Sequence, residues 1–244
     1  MLRLVRRTRY GRFYDLQQET SGLLSPEHYE RIFNEIRKLH DLDIVEIGGA
    51  AGAASIAIGL ALKRDHKQSR LIIVEKCEGG TRTQYGGKVE NLNRLQHNLR
   101  RFGVHDQCVI FPEYLTFENG AEALRLIRTP QLAALIMDAD GWIHRDFHFF
   151  WPQLRPAALI IVDDYEEGHD PKHDLTFHLL NQLTAWGLFE KVDTVGSLVL
   201  GRKPLDGDIR NLDLKVCSKI VDSVSRKFGV AFEKSGVIQQ PGPV

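Results

Sequence analysis

The side chains best placed to do chemistry are acids that recur at the ends of apolar runs. Asp43–Ser55, DIVEIGGAAGAAS, sets Glu46 among Ile44, Val45 and Ile47, follows it with Gly48 and Gly52, and reaches Ser55 as an apolar helix opens. Small residues there let the chain turn tightly and bring amide N–H groups near a ligand at a helix N-terminus. Glu75 ends RLIIVE, Glu113 follows QCVIF, Asp138 and Asp140 follow AALIM, and Asp163-Asp164 follows LIIV. Solvated surface acids have no reason to choose the same end of every strand. The coincidence points to a ligand beyond the strands' carboxyl ends, where open α/β sheets bind.

Glu75, at the tip of the strand beside the glycine turn, can accept both hydroxyls of a ribose; the plainer alternative is a strand-end acid solvated by water. A ribose is common to nicotinamide dinucleotides and S-adenosylmethionine, and the glycine spacing separates them. A dinucleotide turn needs GxGxxG or GxGxxA, whereas from Gly48 the chain reads Gly-Gly-Ala-Ala-Gly. Glu46 would repel a pyrophosphate but suits the ammonium or sulfonium side of an amino-acid cofactor. S-adenosylmethionine is the expected ligand.

The elements that must position these residues alternate between helix and strand. Ser25–Leu39 opens with Ser25 as N-cap, Pro26 and Glu27, and aligns Tyr29, Ile32, Phe33, Ile36 and Leu39 on one face. Strands are expected at Ile44–Ile47, Arg70–Glu75, Gln107–Phe111, Ala133–Met137 and Leu159–Val162. The helices between and after them are expected at Ala53–Leu62, Lys88–Phe102, Ala121–Ile127, His144–Leu154 and Pro171–Trp186. Pro156–Ala158 reads as a turn, and Phe189–Thr194 with Ser197–Gly201 as a final antiparallel pair. The pattern predicts an α/β fold: a doubly wound, mostly parallel, seven-stranded Rossmann-like sheet with helices on both faces and an antiparallel last strand. Three regions are expected: a basic arm and helix over 1–40, a catalytic domain over 41–203 and a helical extension over 204–244. In the extension, Leu212, Val216, Ile220 and Val224 form a stripe that would pack on its own domain, with a homodimer contact as second choice.

Bulk properties narrow the class. Lys+Arg and Asp+Glu balance at 32 each over 244 residues, which argues against nucleic acid as a partner. Cys77, Cys108 and Cys217 form no disulfide framework, and no apolar run reaches membrane-spanning length, so a soluble, cytoplasmic protein with reduced thiols is expected. The Arg-rich start, MLRLVRRTRYGRF, reads as a solvated basic arm or a lid over an acidic site.

With these residues in view, VEIGGAAGAAS resembles the first motif of class I S-adenosylmethionine-dependent methyltransferases, in the form ExGxxxGxxS. LIMDADGWIHRDFHFFWPQLRPAALIIVDDY is similar to the second half of small-molecule O-methyltransferases of the catechol and macrocin types. The resemblance spans Ser25–Arg202. It implies that Glu46, Gly48 and Gly52, with Ser55 completing the motif, hold the cofactor's amino-acid part, that Glu75 holds its ribose, and that Glu113 and Tyr114 lie near its adenine. Asp138 would border the cofactor and, with Asp163 and Asp164, ligate a divalent metal, expected to be Mg²⁺. In the family's strand order Asp138 and Asp163 end adjacent strands, roughly 5 Å apart. A metal-bound substrate hydroxyl loses its proton more easily and attacks the methyl group. The competing reading has Asp163 or Asp164 capping the next loop while Asp138 lines the cofactor.

The pattern is not followed throughout. Gly141 stands where catechol-type enzymes place a lysine, the nearest histidine to the Asp-x-Asp pair is His144, and Pro156-Ala-Ala replaces Pro-Gly-Gly. His144 and His169 are the candidate general bases. Trp142 and Tyr165 would form an aromatic wall or simply pack in the core. The expectation is a methyltransferase acting on a hydroxyl of a small molecule with Mg²⁺. The alternatives are a metal-independent methyltransferase with another acceptor, an NAD-dependent oxidoreductase, or a silent binding protein.

Overall fold

The structure, a computed structural model, describes residues 11–66, 68–78, 86–232 and 238–239. The first ten residues of the basic arm, Gly79-Gly80 and the end of the C-terminal extension lie outside the described residues. The helices are α1 (Arg12–Thr20), α2 (Pro26–Ile36), α3 (Ala53–Asp65), α4 (Lys88–Arg101), α5 (Gly120–Leu124), α6 (Ile143–Phe150), α7 (Pro171–Ala185) and α8 (Leu214–Phe228). The strands are β1 (Asp43–Ile47), β2 (Leu71–Val74), β3 (Cys108–Phe111), β4 (Leu132–Met137), β5 (Leu154–Val162), β6 (Glu190–Val195), β7 (Leu198–Arg202) and the short pair β8 (Ala231–Phe232) and β9 (Ile238–Gln239). Strands β1 to β7 form one sheet in the order β3-β2-β1-β4-β5-β7-β6. Both pairings of β7, with β5 and with β6, are antiparallel. The described residues divide into two compact units, one carrying α1–α4 and β1–β3, the other α5–α8 and β4–β9.

In the first unit β1, β2 and β3 pair in parallel, with Val45 opposite Ile72 and Ile73 opposite Ile110. Every residue of β1 and β2 is buried, as strands covered on both faces require. Ser25 caps α2 by accepting from the His28 N–H, with Pro26 at the first position, as its sequence predicts. Helix α1 was not foreseen: part of the basic arm folds, burying Phe13, Tyr14 and Leu16. The Phe13 ring lies 5.4 Å from Phe33, and the Arg12 guanidinium sits 4.1 Å from the centre of the Phe33 ring. Arginine with an apolar stem and a stacked head covers a hydrophobic surface while reading as charge in a sequence.

In the second unit β4 and β5 pair in parallel from Ala134–Leu159 to Met137–Val162. Here β5 begins at Leu154, so the expected turn at Pro156–Ala158 belongs to the strand. A register shift between Leu132 and Ala134 and a left-handed Ala157 (φ 55°) absorb the proline, which has no N–H for the ladder. The helix expected over His144–Leu154 stops at Phe150 and gives way to a 3₁₀ turn, Trp151–Gln153, around Pro152. Helix α8 turns Cys217, Val221 and Val224 inward, with Val216 and Ile220 half-buried, so most of the expected stripe packs within its own unit. Among the described residues no helix is long and apolar enough to cross a membrane.

One buried acid locks the amino ends of β1 and β2. Asp43, 1% exposed, accepts from the Arg70 N–H (3.0 Å), the Arg70 guanidinium (3.1 Å) and the Arg128 N–H (2.8 Å). Asp43→Ala should lower stability by about 3–5 kcal/mol, because it strands a largely buried guanidinium. Asp43→Asn, which keeps an acceptor, should lose less. Urea unfolding reads this, and an unchanged midpoint for Asp43→Ala would refute the locking role.

Candidate functional site

The glycine turn after β1 is built by close approaches. Gly48 (φ 98°) and Gly52 (φ 92°) occupy left-handed conformations that favour glycine, and a Cβ on Gly52 would stand 2.9 Å from Leu95. Gly49, not singled out from the sequence, is fixed for another reason: a Cβ there would collide with Ile73 of β2. Ala50 is also left-handed (φ 48°), and its N–H donates to Glu75 Oε2 at 2.6 Å. The other Glu75 oxygen accepts the Cys77 N–H at 2.7 Å. On the α4 side, Asn98 Nδ2 donates to the Ala51 carbonyl at 2.8 Å.

Glu46 is 1% exposed and accepts a hydrogen bond from the Ser55 hydroxyl, joining β1 to the first turn of α3. Glu46, Gly48, Gly52, Ser55 and Glu75 are therefore assembled around one turn. The two carboxylates accept from a serine hydroxyl and from backbone N–H groups. A carboxylate offers about four lone-pair sites, so Glu75 can serve the turn and still accept hydroxyls. Glu113, by contrast, is exposed and pairs with Lys88 at 2.8 Å, while half-buried Tyr114 has the Lys76 ammonium 5.7 Å from its ring centre.

The second unit gathers the other acids. Asp163 N–H donates to the Met137 carbonyl at 3.0 Å, so Asp138 and Asp163 leave β4 and β5 side by side. Asp138, Asp163 and Asp164 each bring a carboxylate oxygen within 4.8 Å of the others. Lys172, in the first turn of α7, reaches into this group: its ammonium stands 3.2 Å from Asp138 Oδ1 and forms an ion pair with Asp164. His173 Nε2 lies 3.0 Å from Asp164 Oδ1, and the Ser197 hydroxyl donates to Asp163 Oδ1 at 2.7 Å. Burial pushes the Asp138 carboxyl up to about 7; Lys172 works against the rise, and Asp163 and Asp164 add to it. Burial also disfavours the Lys172 ammonium, but the Asp138 and Asp164 carboxylates outweigh it and raise its proton affinity.

The donor set suits a hard divalent ion, but the space does not. The cavity beside the three aspartates measures about 10 Å³ and has Lys172 in its wall. Magnesium is six-coordinate and keeps several waters, whereas this space holds about one. The sequence reading missed Lys172, His173 and Ser197. A signal existed for the first: Asp170-Pro171 marks a helix start, which places Lys172 where the helix dipole disfavours a cation unless acids compensate it.

The remaining candidates are placed less directly. Asp140 belongs to a structural network in which Arg145, 2% exposed, bonds Asp140 Oδ2 at 3.0 Å and Asp146 Oδ1 at 2.7 Å. His169 is exposed, 3.9 Å from Glu166 and edge-on to His173 at 4.6 Å, which links it to Asp164. His144 is buried and stacked on Trp142 at 5.3 Å, while Tyr165 packs on Phe177 at 4.9 Å. Burial, and then the charge of Arg145, lower the His144 imidazole to about 4. It is a neutral packing residue at pH 7.

That depression fixes a pH dependence. An unfolded histidine takes up its proton near pH 6.5, while the folded His144 resists until about 4. The contribution is complete above 6.5 and is lost as pH falls toward 4, an effect of up to about 3 kcal/mol. His144→Phe should flatten this acid limb of the thermal-unfolding profile, and an identical pH profile in the variant would rule the assignment out.

Comparison with known proteins places this arrangement. Residues 45–165 match the model of a methyltransferase domain. The fold is similar to an O-methyltransferase from Bacillus cereus solved with S-adenosylhomocysteine (TM-score 0.59, 15% identity, 78% of this chain and 90% of that one). It is also similar to the O-methyltransferase TomG of Streptomyces achromogenes, involved in tomaymycin synthesis and solved with S-adenosylmethionine (TM-score 0.57, 17% identity, 80% and 89%). A third likeness is to the methyltransferase PaMTH1 of Podospora anserina, bound to S-adenosylhomocysteine (TM-score 0.55, 14% identity, 84% and 86%). No curated protein matches the chain. The match runs from within β1 through the glycine turn, the Glu75 strand end and the Asp138 and Asp163-Asp164 strand ends, and residues 45–165 form an S-adenosylmethionine-dependent methyltransferase domain.

Proposed function

We propose that the enzyme transfers a methyl group from S-adenosylmethionine to a hydroxyl of a small molecule, with the acceptor held at the Asp138–Asp163–Asp164 group. The observation that carries this reading is the convergence of three carboxylates and one ammonium at the ends of β4 and β5. A hydroxyl acceptor can donate to such carboxylates and accept from the ammonium, and the O-methyltransferases of similar fold support the same acceptor class.

In this reading Glu46, Gly48, Gly52 and Ser55 hold the amino-acid part of the donor, Glu75 its ribose, and Glu113 with Tyr114 border the adenine. The bound donor supplies a methyl on a sulfonium sulfur: a C–O bond forms as the C–S bond breaks, leaving S-adenosylhomocysteine and a proton. The chain's own task is to orient the acceptor oxygen and receive that proton. His169 fits the second task better than His144, because it is exposed and connects through His173 to Asp164. A divalent ion on the three aspartates is the second reading, favoured by the all-oxygen donor set alone.

Calorimetric titration with S-adenosylmethionine should show binding, weakened at least about tenfold, or roughly 1.4 kcal/mol, by Glu75→Ala. Incubation with labelled donor and a panel of phenols, catechols and sugar hydroxyls should transfer label to at least one of them. Label that goes only to amines, thiols or macromolecules would overturn the acceptor class while leaving the donor site standing.

A further inference from the structure

We propose that Lys172 is the resident cation of the Asp138–Asp163–Asp164 group and that the enzyme works without a divalent metal. The part Lys172 plays toward the acceptor rests on the hydroxyl reading above; its occupancy of the carboxylate group does not.

Position comes first. The ammonium lies 3.2 Å from Asp138 Oδ1 and in an ion pair with Asp164 Oδ2, bridging the ends of β4 and β5. A magnesium ion bound to those oxygens would sit about 2.0–2.1 Å from them, in the volume the ammonium fills. Two like charges in the same volume would repel. Two further oxygens of the group have partners as well, since Asp164 Oδ1 meets His173 and Asp163 Oδ1 accepts from Ser197.

The backbone that delivers the lysine is fixed. Asp170 caps α7 by accepting from the His173 N–H at 2.9 Å, and the Lys172 carbonyl accepts from Thr176 Oγ1 at 3.0 Å. Gly141, left-handed at φ 82°, lies under that carbonyl, and a Cβ there would stand 3.0 Å from it. The loop after β4 and the first turn of α7 are thus packed as closely as a glycine allows, and this brings the stem of Lys172 to Asp138. A cation near a helix N-terminus is disfavoured by the dipole, so its place there depends on the carboxylates it meets. An ammonium has three N–H donors. With one hydrogen-bonded to Asp138 and the charge paired with Asp164, an N–H is left for the acceptor's oxygen, which it would hold and whose developing negative charge it would offset.

The test uses the purified full chain, Mg²⁺ and Mn²⁺ as probes, and the variants Lys172→Met and Lys172→Arg. The wild type should give no calorimetric signal with either ion and no shift in its unfolding midpoint at about 5 mM. Methyl transfer should proceed unchanged in excess chelator. Lys172→Met leaves the carboxylates uncompensated, so it should unfold at lower temperature, bind Mn²⁺ at least about tenfold more tightly than the wild type and recover its midpoint when the ion is added. Lys172→Arg should remain indifferent to both ions. Sub-millimolar binding of either ion by the wild type, or activity lost to chelator and restored by Mg²⁺, would overturn the proposal. If Lys172→Met does not fold, the wild-type and Lys172→Arg titrations still decide it. An error in the acceptor class would appear separately, as absence of transfer to any hydroxyl with the metal titrations unaffected.

Discussion

A carboxylate taken out of water must find compensation, and nearly every tie that shapes this molecule's functional residues is an answer to that requirement. The penalty for an uncompensated buried charge is several kcal/mol, comparable with the whole net stability of a domain. Asp43 answers it with Arg70 and the Arg128 backbone, Glu46 with Ser55, and Glu75 with two amides of the neighbouring chain. Asp146 answers it with Arg145, and Asp138 and Asp164 with Lys172. Several of these pairings, Asp43 with Arg70 and Arg128 and Asp138 with Lys172 among them, join elements far apart in sequence, so charge compensation and chain topology are settled by the same contacts.

The two units answer it differently, and the difference has chemical consequences. Around the glycine turn the donors that meet Glu46 and Glu75 include a serine hydroxyl and backbone N–H groups, which carry no net charge of their own. At the ends of β4 and β5 the donor is itself a cation, and Lys172 offsets part of the charge that Asp138 and Asp164 gather there.

Local grammar made much of this legible. The Glu46-to-Ser55 stretch, the strand-end acids and the helix starts at Ser25-Pro26 and Pro171 are short-range patterns, and both helices begin where they were read. What stayed hidden was non-local. Lys172 lies 34 residues from Asp138 along the chain, and only the β4–β5 pairing and the seating of α7 bring them together. Gly49 looked like one more small residue because its constraint is Ile73 on another strand. Helix α1 was masked by the basic stretch it opens in, where Arg12 lies over the aromatic face that Phe13 and Phe33 share. Pro156 read as a turn because a proline in a strand is tolerated only where a partner shifts register, and that shift lies on β4.

The left-handed residues carry the same reasoning to the level of single dihedrals. Among the described residues five non-glycine positions have positive φ, including Ala50 (48°) at the glycine turn and Asp164 (60°) in the aspartate group. Such a conformation costs about 1–2 kcal/mol for an L-residue, so a glycine would be the easier choice at either place. At Ala50 the conformation directs an amide at Glu75, and the bond of 2.6 Å to that carboxylate offsets the strain. At Asp164 the side chain is the reason. A glycine would relax the backbone but remove the carboxylate that meets Lys172 on one oxygen and His173 on the other. Aspartate is among the few residues that tolerate this region while carrying a charge. Position 164 therefore satisfies the turn after β5 and the electrostatics of α7 together.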